Sequence, residues 1–416
     1  MEEELTQRLQ HDLEAIKNVG VLKGSEGVNR IAYTLSEDQA HGFIAAEALD
    51  MGLQVRRDEV GNSYFVLPGR RFKQKIAFGS HLDSVPNGGN YDGGLGVVMG
   101  LEAMRILKDA GINHTLELVV WRCEESARFN SGCLGSKLAT GYLDFEDVKK
   151  LKDKDGVSLE EAMRASLLHS PGSIETLQKE DYVSYIEPHI EQGDVLARNG
   201  HAVGIVTGIR APVRFKVSIT GEGNHSGATP MIYRHDALVA ASRMINGIYE
   251  LALSAEKNGS QTVATVGNIY VADGAVNKIP GYVEFILDIR GTTVEARDRL
   301  ETVVLDDLLF HARRTGTKVK FSEVERGVPA KLYERDVVVV EEAAKVLGIP
   351  TIRLPSGAGH DAQYVWNMGI PTSMIFVRNY GGSHNPQEDI NLEDVVAGTR
   401  LLIETIKGID ASPRGE

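Results

Sequence analysis

Cysteine is scarce in this chain: there are two in 416 residues, Cys123 and Cys133. A loop closed between them would be short, and a chain this long does not need one. The pair therefore fits a reduced, intracellular setting better than a disulfide framework. Cys123 closes the strand-like run Leu116–Arg122, where a buried, inert thiol is expected. Long apolar runs are also lacking, and no stretch approaches the ~18 residues that span a bilayer. The opening MEEELTQRLQHDLEAI is acidic and reads as helix, without the basic start and apolar stretch of a secretory leader. Together these absences predict a cytoplasmic protein. Basic residues are not in excess either, since the formal net charge is −13. That argues against nucleic acid or an anionic membrane as partner, because both reward basic patches. A small anionic substrate stays open, since a few local arginines and a metal outweigh a diffuse negative surface. No internal repeat or low-complexity segment stands out.

What is present is a globular composition, 42% hydrophobic and 25% charged. The length exceeds one ordinary core, so two domains are expected. Residues 36–50 read as a helix with Ser36 as N-cap and Gly52 just past its end. Short strands follow near Gln54–Asp58 and Ser63–Leu67. Then KIAFGSHLD (75–83) reads as a buried strand with imidazole and acid at its carboxyl end, GLGVVMGLEAMRILKDAG (94–111) as a helix, and TLELVVWRCEE (115–125) as a second buried strand ending in acids. This alternation predicts an α/β fold with a mixed or largely parallel sheet covered by helices. Ligands of such sheets sit beyond the carboxyl ends of the strands.

Near residue 212 the pattern changes. VRFKVSITGEG, QTVATVGNIYV, GYVEFILDIRG and KVKFSEVERG read as strands, with two long amphipathic helices between them. The order strand–helix–strand–strand–helix–strand is the split-βαβ arrangement of a small sandwich. The expected organisation is a catalytic, metal-binding domain in two parts, 1–211 and 329–416, interrupted by a lid or dimerisation domain at 212–328. After the insertion the first pattern returns, with a helix near 335–347, strand TIRL, a helix from near His360, strand PTSMIFV and a closing helix from near Leu392.

Chemistry-bearing residues collect at the strand ends. SHLDSVPNGGNYDGG (80–94) gathers His81, Asp83 and Asp92 among glycines. On a strand, positions i and i+2 share a face, so Asp83 could hold the ring of a metal-bound His81. By itself the pair fits a polar strand end equally well. Glu124 and Glu125 are adjacent and point to opposite sides, so one could bind metal while the other faces the attacking water. In isolation they would be two solvated acids. IEPHIEQG (186–193) and GGSHNPQED (381–389) each set one histidine among acids, Pro and Gly. A lone loop histidine is usually plain surface. Taken together, His81, Asp92, Glu125, His189 and His384 have the number and type of ligands that a two-metal hydrolase needs. A bridging carboxylate and two further ligands per ion would leave a shared position for water.

These stretches resemble the dinuclear amidohydrolases related to the M20 aminoacylases and carboxypeptidases. More narrowly they resemble the hydantoinase/carbamoylase branch, which includes N-carbamoyl-L-amino acid amidohydrolases, β-ureidopropionases and allantoate amidohydrolases. The resemblance is carried by GSHLDSVPNGGNYDGGLGV, CEESARF, IEPHIEQG, VTGI, NHSGATPM, VNKIPG, LDIRG, SGAGHDA and GGSHNPQE, and covers nearly the whole chain. It implies that His81, Asp92 and His189 hold one divalent ion and Asp92, Glu125 and His384 the other, with Asp83 orienting His81. It implies Glu124 as general base and His225 as oxyanion stabiliser. Asn277 and Arg290 would grip the substrate carboxylate, and Gln192 and the backbone at Gly359 would complete the pocket. By residue type alone, Arg290 and His225 would be ordinary surface residues. The resemblance further implies a homodimer in which His225 reaches the neighbouring subunit's metals. In peptidase-type relatives the place of His189 is usually an acid. The family commonly has Gly-Ser after the paired acids, whereas Ser126-Ala127 stands here, which bears on the local loop and on side-chain preference.

The expected activity is metal-dependent hydrolysis of N-carbamoyl-L-amino acids to amino acid, ammonia and carbon dioxide. Allantoate or another ureido acid is the alternative substrate, followed by an aminoacylase or dipeptidase reading, then a non-catalytic ligand-binding relative. His/carboxylate sites accept Zn, Mn, Co or Ni, so the sequence leaves the metal open.

Overall fold

The computed structural model describes residues 2–22, 24–172 and 174–411. It is a mixed α/β protein whose chain divides into two compact units, Met1–Thr207 with Leu332–Glu416, and Gly208–Lys331.

The first unit is built on a mixed sheet. Strand Phe72–His81 pairs in parallel with His114–Trp121 on one side and with Tyr182–Ile190 on the other. Thr372–Val377 continues the parallel set beside Tyr182–Ile190, with Phe376 opposite His189. Ser63–Leu67 and Val203–Ile209 flank the set in antiparallel pairing. The register matters for function: four parallel strands end side by side, with His81 and His189 in the last residues of two of them and Glu124–Glu125 and His384 on the segments that follow the other two. The sequence leads to this because strands His114–Trp121 and Tyr182–Ile190 are buried from end to end, and LELVVW in the first is nearly all apolar, as a strand covered on both faces requires. The exception in LELVVW is Glu117, fully buried within its strand. Its carboxylate accepts from Lys75 Nζ and from Tyr182 Oη, both at 2.8 Å, which is what allows an acid there.

Helix Gly94–Leu107 covers the sheet and is buried along most of its length. It sits so close to strand Tyr182–Ile190 that a Cβ on Gly96 would lie 1.9 Å from the Pro188 carbonyl oxygen. Helices Glu2–Asn18 and Leu392–Ala411 pack beside it. The helix expected at 36–50 spans Leu35–Asp50. Its N-cap is Thr34, not Ser36, because the Ser36 hydroxyl donates to the Asn29 carbonyl at 2.8 Å and is used to tie down the preceding loop. Three short helices, Leu134–Ala139, Phe145–Val148 and Leu159–Ala165, fill a region that the sequence pattern left unread.

The second unit has a four-stranded antiparallel sheet in the order Lys318–Arg326, Ala211–Thr220, Tyr282–Gly291, Thr262–Val271. Helices Ala237–Lys257 and Val294–Thr315 begin at side-chain caps supplied by Asp236 and Thr293. Burial alternates residue by residue along Tyr282–Gly291. Val283, Phe285, Leu287 and Ile289 pack with Met244, Ile248, Val304 and Leu308 into the unit's core, at about 1.5–3 kcal/mol per fully buried large side chain. The other face is polar and carries the pairs Arg214–Asp288 and Lys216–Glu284.

Candidate active site

At the carboxyl end of the parallel strands, Asp92 is the hub. Its Oδ1 lies 3.2 Å from His189 Nε2 and 3.6 Å from His81 Nε2. Its Oδ2 lies 3.3 Å from His384 Nε2, which is also 3.2 Å from Glu125 Oε1. Two ligand groups result, His81–Asp92–His189 and Asp92–Glu125–His384, with donor atoms within 4.8 Å of one another in each. All are buried except His384, whose side chain is half exposed.

Local structure explains how Asp92 gets there. Gly93 has φ of +65°, and a Cβ on it would lie 2.4 Å from His81 Nε2, so only glycine lets the loop pass against the imidazole. Glu388 accepts from the amides of Tyr91 and Asp92 at 2.7 and 3.1 Å. Ser383 Oγ lies within hydrogen-bond distance of both Asp92 Oδ2 and Glu388 Oε2, its single proton serving one or shared between them, and Gln192 Nε2 donates to Asp92 Oδ2 at 2.7 Å. The loop is clamped from below by Arg30, fully buried, which donates to the carbonyls of Leu82, Ile16 and Asn90 and to Asn90 Oδ1.

Asp83 joins two loops. Its carboxylate accepts the amides of Glu124 and Glu125 at 3.1 and 2.9 Å and stands 3.5 Å from His81 Nδ1. The closer partner of His81 Nδ1 is the Asp83 carbonyl, at 3.1 Å. Glu124 is mostly buried and directs Oε2 to within 3.7 Å of His81 Nε2.

Charge is concentrated here. Burial resists ionisation of His81 and His189, but the surrounding carboxylates, Glu124 and Asp83 at His81 and Asp92 at both, hold both pKa values above the ordinary imidazole range. Hydrogen bonds to Asp92 and Glu125 push His384 up to about 11. Asp92 is held well below the usual carboxylate range by its three histidines, against the effect of burial. Burial raises Glu124 well above its ordinary value, with His81 opposing and Glu125 adding to the rise. Without a cation the site therefore draws protons onto its imidazoles, and a divalent ion would displace them. The donor set of imidazoles and carboxylates suits such an ion. So does one further observation: His81 Nε2 is buried and has no hydrogen-bond partner. The residues fit the metals the sequence implied.

The remaining expected residues lie elsewhere. Gln192, at φ +65°, is tied by its amide to Asn379 Oδ1 and belongs to the Asp92 cluster. Gly359 is exposed and immediately precedes buried His360. His225, Asn277 and Arg290 belong to the second unit. His225 is exposed on the short strand Asn224–His225, and its Nδ1 accepts the amides of Gly227 and Ala228 at 3.0 and 3.2 Å. That leaves Nε2 as the ring's donor. Ser226 N donates to the Asn277 carbonyl at 3.0 Å, so these two segments are joined. Arg290 is on a different strand, its Nε and Nη2 engaged by Asp288 at 2.9 and 3.2 Å.

Sequence reasoning missed Glu187 and His360. With His189 they form a third buried group of potential ligands. The His360 ring centroid is 4.6 Å from that of His189, and its Nε2 bonds Ser356 Oγ at 2.8 Å. Burial and His189 hold His360 well below the ordinary imidazole range, so it is neutral. Glu187 had a signal, since it stands two residues before His189 on a strand and shares its face. Ser383 and Glu388 had none beyond lying near His384.

The family model for peptidase family M20/M25/M40 matches residues 77–408. An N-carbamoyl-L-amino acid amidohydrolase of Geobacillus stearothermophilus is 37% identical over 391 residues, covering 92% of this chain and 93% of the relative. An allantoate amidohydrolase of Bacillus subtilis is 34% identical, over 91% of this chain and 92% of its own. A crystal structure of an amidase of the hydantoinase/carbamoylase family from Burkholderia multivorans superposes with a TM-score of 0.90 at 31% identity, covering 98% of each chain. The chain belongs to the M20/M25/M40 family and stands within it among the hydantoinase/carbamoylase amidohydrolases, as a hydrolase of carbon–nitrogen bonds other than peptide bonds. Among the described residues, no helix is long and apolar enough to cross a membrane.

Proposed function

We propose that the enzyme hydrolyses the ureido bond of an N-carbamoyl-L-amino acid, giving the L-amino acid, ammonia and carbon dioxide, in the cytoplasm and as a homodimer. The observation that carries the chemistry is Asp92 placed between two ligand groups, with Glu124 beside them and bonded to neither His189 nor His384. The N-carbamoyl substrate rests on the relatives that carry that name, at 33–37% identity. His81, Asp92 and His189 would hold one divalent ion, and Asp92, Glu125 and His384 a second, Zn or one of Mn, Co and Ni. When bound, such ions acidify water and polarise a carbonyl.

The chain's own residues do the rest. Glu124 takes the proton of the attacking water at Oε2 and returns it to the leaving nitrogen. His225 presents Nε2–H to the developing oxyanion. Arg290, aligned by Asp288, grips the substrate carboxylate with its planar fork, assisted by Asn277. Gln192 and the backbone at Gly359 line the pocket. Asp83 keeps the Glu124–Glu125 loop in register with His81. The inserted unit exposes Tyr249, Ile269, Tyr270 and Phe310, apolar surface for a second copy.

Allantoate is the second reading, favoured by relatives of that name at nearly equal identity and coverage. The test is ammonia release from a panel of N-carbamoyl-L-amino acids, allantoate and N-acyl amino acids with metal-loaded enzyme. Carbamoyl substrates should lead by at least about tenfold in kcat/KM, about 1.4 kcal/mol of transition-state binding. A lead by allantoate replaces the substrate, and a lead by acyl amino acids overturns the ureido reading.

A further inference from the structure

Cys133 is buried, and its Sγ lies 3.2 Å from Glu124 Oε1, with the S–H donating. The other carboxylate oxygen, Oε2, is the one near His81 Nε2. The two oxygens of Glu124 thus have different surroundings: one meets a thiol, the other faces the ligand cluster.

The backbone brings the thiol to this place at some cost. Cys123, Asn130 and Cys133 all have φ of +55°, a region that side-chain-bearing residues avoid unless their surroundings hold them there. Three consecutive bonds do the holding. Cys133 N donates to Glu124 O at 2.7 Å, Leu134 N to Cys123 O at 2.9 Å and Gly135 N to Arg122 O at 2.9 Å. Residues 133–135 are thereby lashed against 122–124, so the thiol and the carboxylate move as one piece. Behind them the buried Arg122 is paired with Glu37 and Asp38 at 2.8 and 2.9 Å, which anchors the loop to helix Leu35–Asp50.

We propose that Cys133 is a positioning residue for Glu124: its S–H holds Oε1, so that Oε2 alone takes and returns the proton. This rests on the reading of Glu124 as general base. The competing account is that the thiol only fills space, as a small apolar group would. The two differ in what replaces it. Serine keeps a donor of nearly the same shape, whereas alanine keeps the backbone and loses the donor.

The experiment uses Cys133→Ala, Cys133→Ser and Glu124→Gln in the full-length, metal-loaded enzyme, with ion content measured for each. Cys133→Ala should lower kcat about tenfold, or about 1.4 kcal/mol, with KM within about twofold and both ions retained. Cys133→Ser should recover most of the loss. In the Glu124→Gln background, Cys133→Ala should cost little more, since the two act as a unit. A second readout does not need activity. The chain has only two thiols, so the Cys133 S–H stretching band can be assigned in the infrared by its absence from Cys133→Ala, and it should shift in Glu124→Gln. Unchanged kcat in Cys133→Ala, a serine variant as impaired as alanine, or a band indifferent to Glu124→Gln would each overturn the positioning role. Should Cys133→Ala fail to fold, the infrared band of wild type against Cys133→Ser and Glu124→Gln still decides. Near-normal turnover in Glu124→Gln is a distinct failure, since it removes the base and with it anything to position.

Discussion

Gly93→Ala separates backbone strain from ligand displacement at the hub of the site. Gly93 has φ of +65°, and the added methyl would lie 2.4 Å from His81 Nε2 and 2.5 Å from two of its ring carbons. The His81 ring is 1% exposed at its side chain and lies 5.7 Å, centroid to centroid, from His189, so it has little room to retreat. The loop must move instead, and Asp92 moves with it. Two costs follow. The left-handed conformation costs a non-glycine residue roughly 1–2 kcal/mol, which lowers the apparent Tm of the metal-free protein by about 2–3 °C. If His81 and Asp92 hold the ions as proposed, moving them together should weaken metal binding by at least about 100-fold, the upper end for disturbing residues that merely support ligands. Gly52→Ala is the control. Gly52 has φ of +79° with no atom within 4 Å of the added Cβ, so it carries the strain without the clash and should lose stability alone. Competition with a chromophoric chelator, with elemental analysis of the loaded protein, measures both variants. If Gly93→Ala binds two ions as tightly as Gly52→Ala does, the packing of Gly93 against His81 does not set the site, and the argument for the hub fails.

Four further outcomes are expected. Glu124→Gln should retain both ions and lose turnover by at least about 100-fold, and near-normal rates would place the proton elsewhere. Metal binding should release protons, because His384 is pushed up to about 11 in the ion-free protein and must be neutral to ligate. Affinity therefore rises with pH below that value, and calorimetry in buffers of different ionisation enthalpy showing no proton release would refute the assignment. Arg290→Lys should already impair a carboxylate substrate, since a point charge does not replace the fork. An amide-capped substrate should be poor for wild type and lose little further in the variant, while equal impairment on both would mean that the carboxylate role is wrong and Arg290 is structural. For the homodimer, refolded mixtures of Glu124→Gln and His225→Ala should regain at most about a quarter of wild-type activity if His225 acts across the subunit boundary. No recovery, with mixed dimers confirmed by mass, would mean it acts within its own subunit.

The alternation of strand and helix, the split-βαβ pattern of the insertion and the residue types of the candidate site are all local features of the chain. Periodicity and turn chemistry are local, and they are written in each stretch of ten or twenty residues. His81, Asp92, Glu125, His189 and His384 stood out as candidates because each is an imidazole or carboxylate set among Gly, Pro or acids near the end of a buried run, and the fold gathers them into two neighbouring groups. Tertiary structure alone decided which run lies beside which, because pairing of strands is a long-range choice that no local pattern records. It set His81 opposite Trp121 and Phe376 opposite His189. It brought Glu388 back across nearly 300 positions to the amides of Tyr91 and Asp92, and it laid Lys75 and Tyr182 against the buried carboxylate of Glu117. The contact between Cys133 and Glu124 belongs here too: they are nine positions apart, and the left-handed residues Asn130 and Cys133 lie in the turn that folds the chain back so that a thiol meets a carboxylate. Buried polar groups must find partners wherever the fold places them. For that reason the candidate ligands, and Asp83 two positions from His81, could be picked out from the sequence, while partners as distant as Glu388 and Lys75 could be found only once the strands had been set side by side.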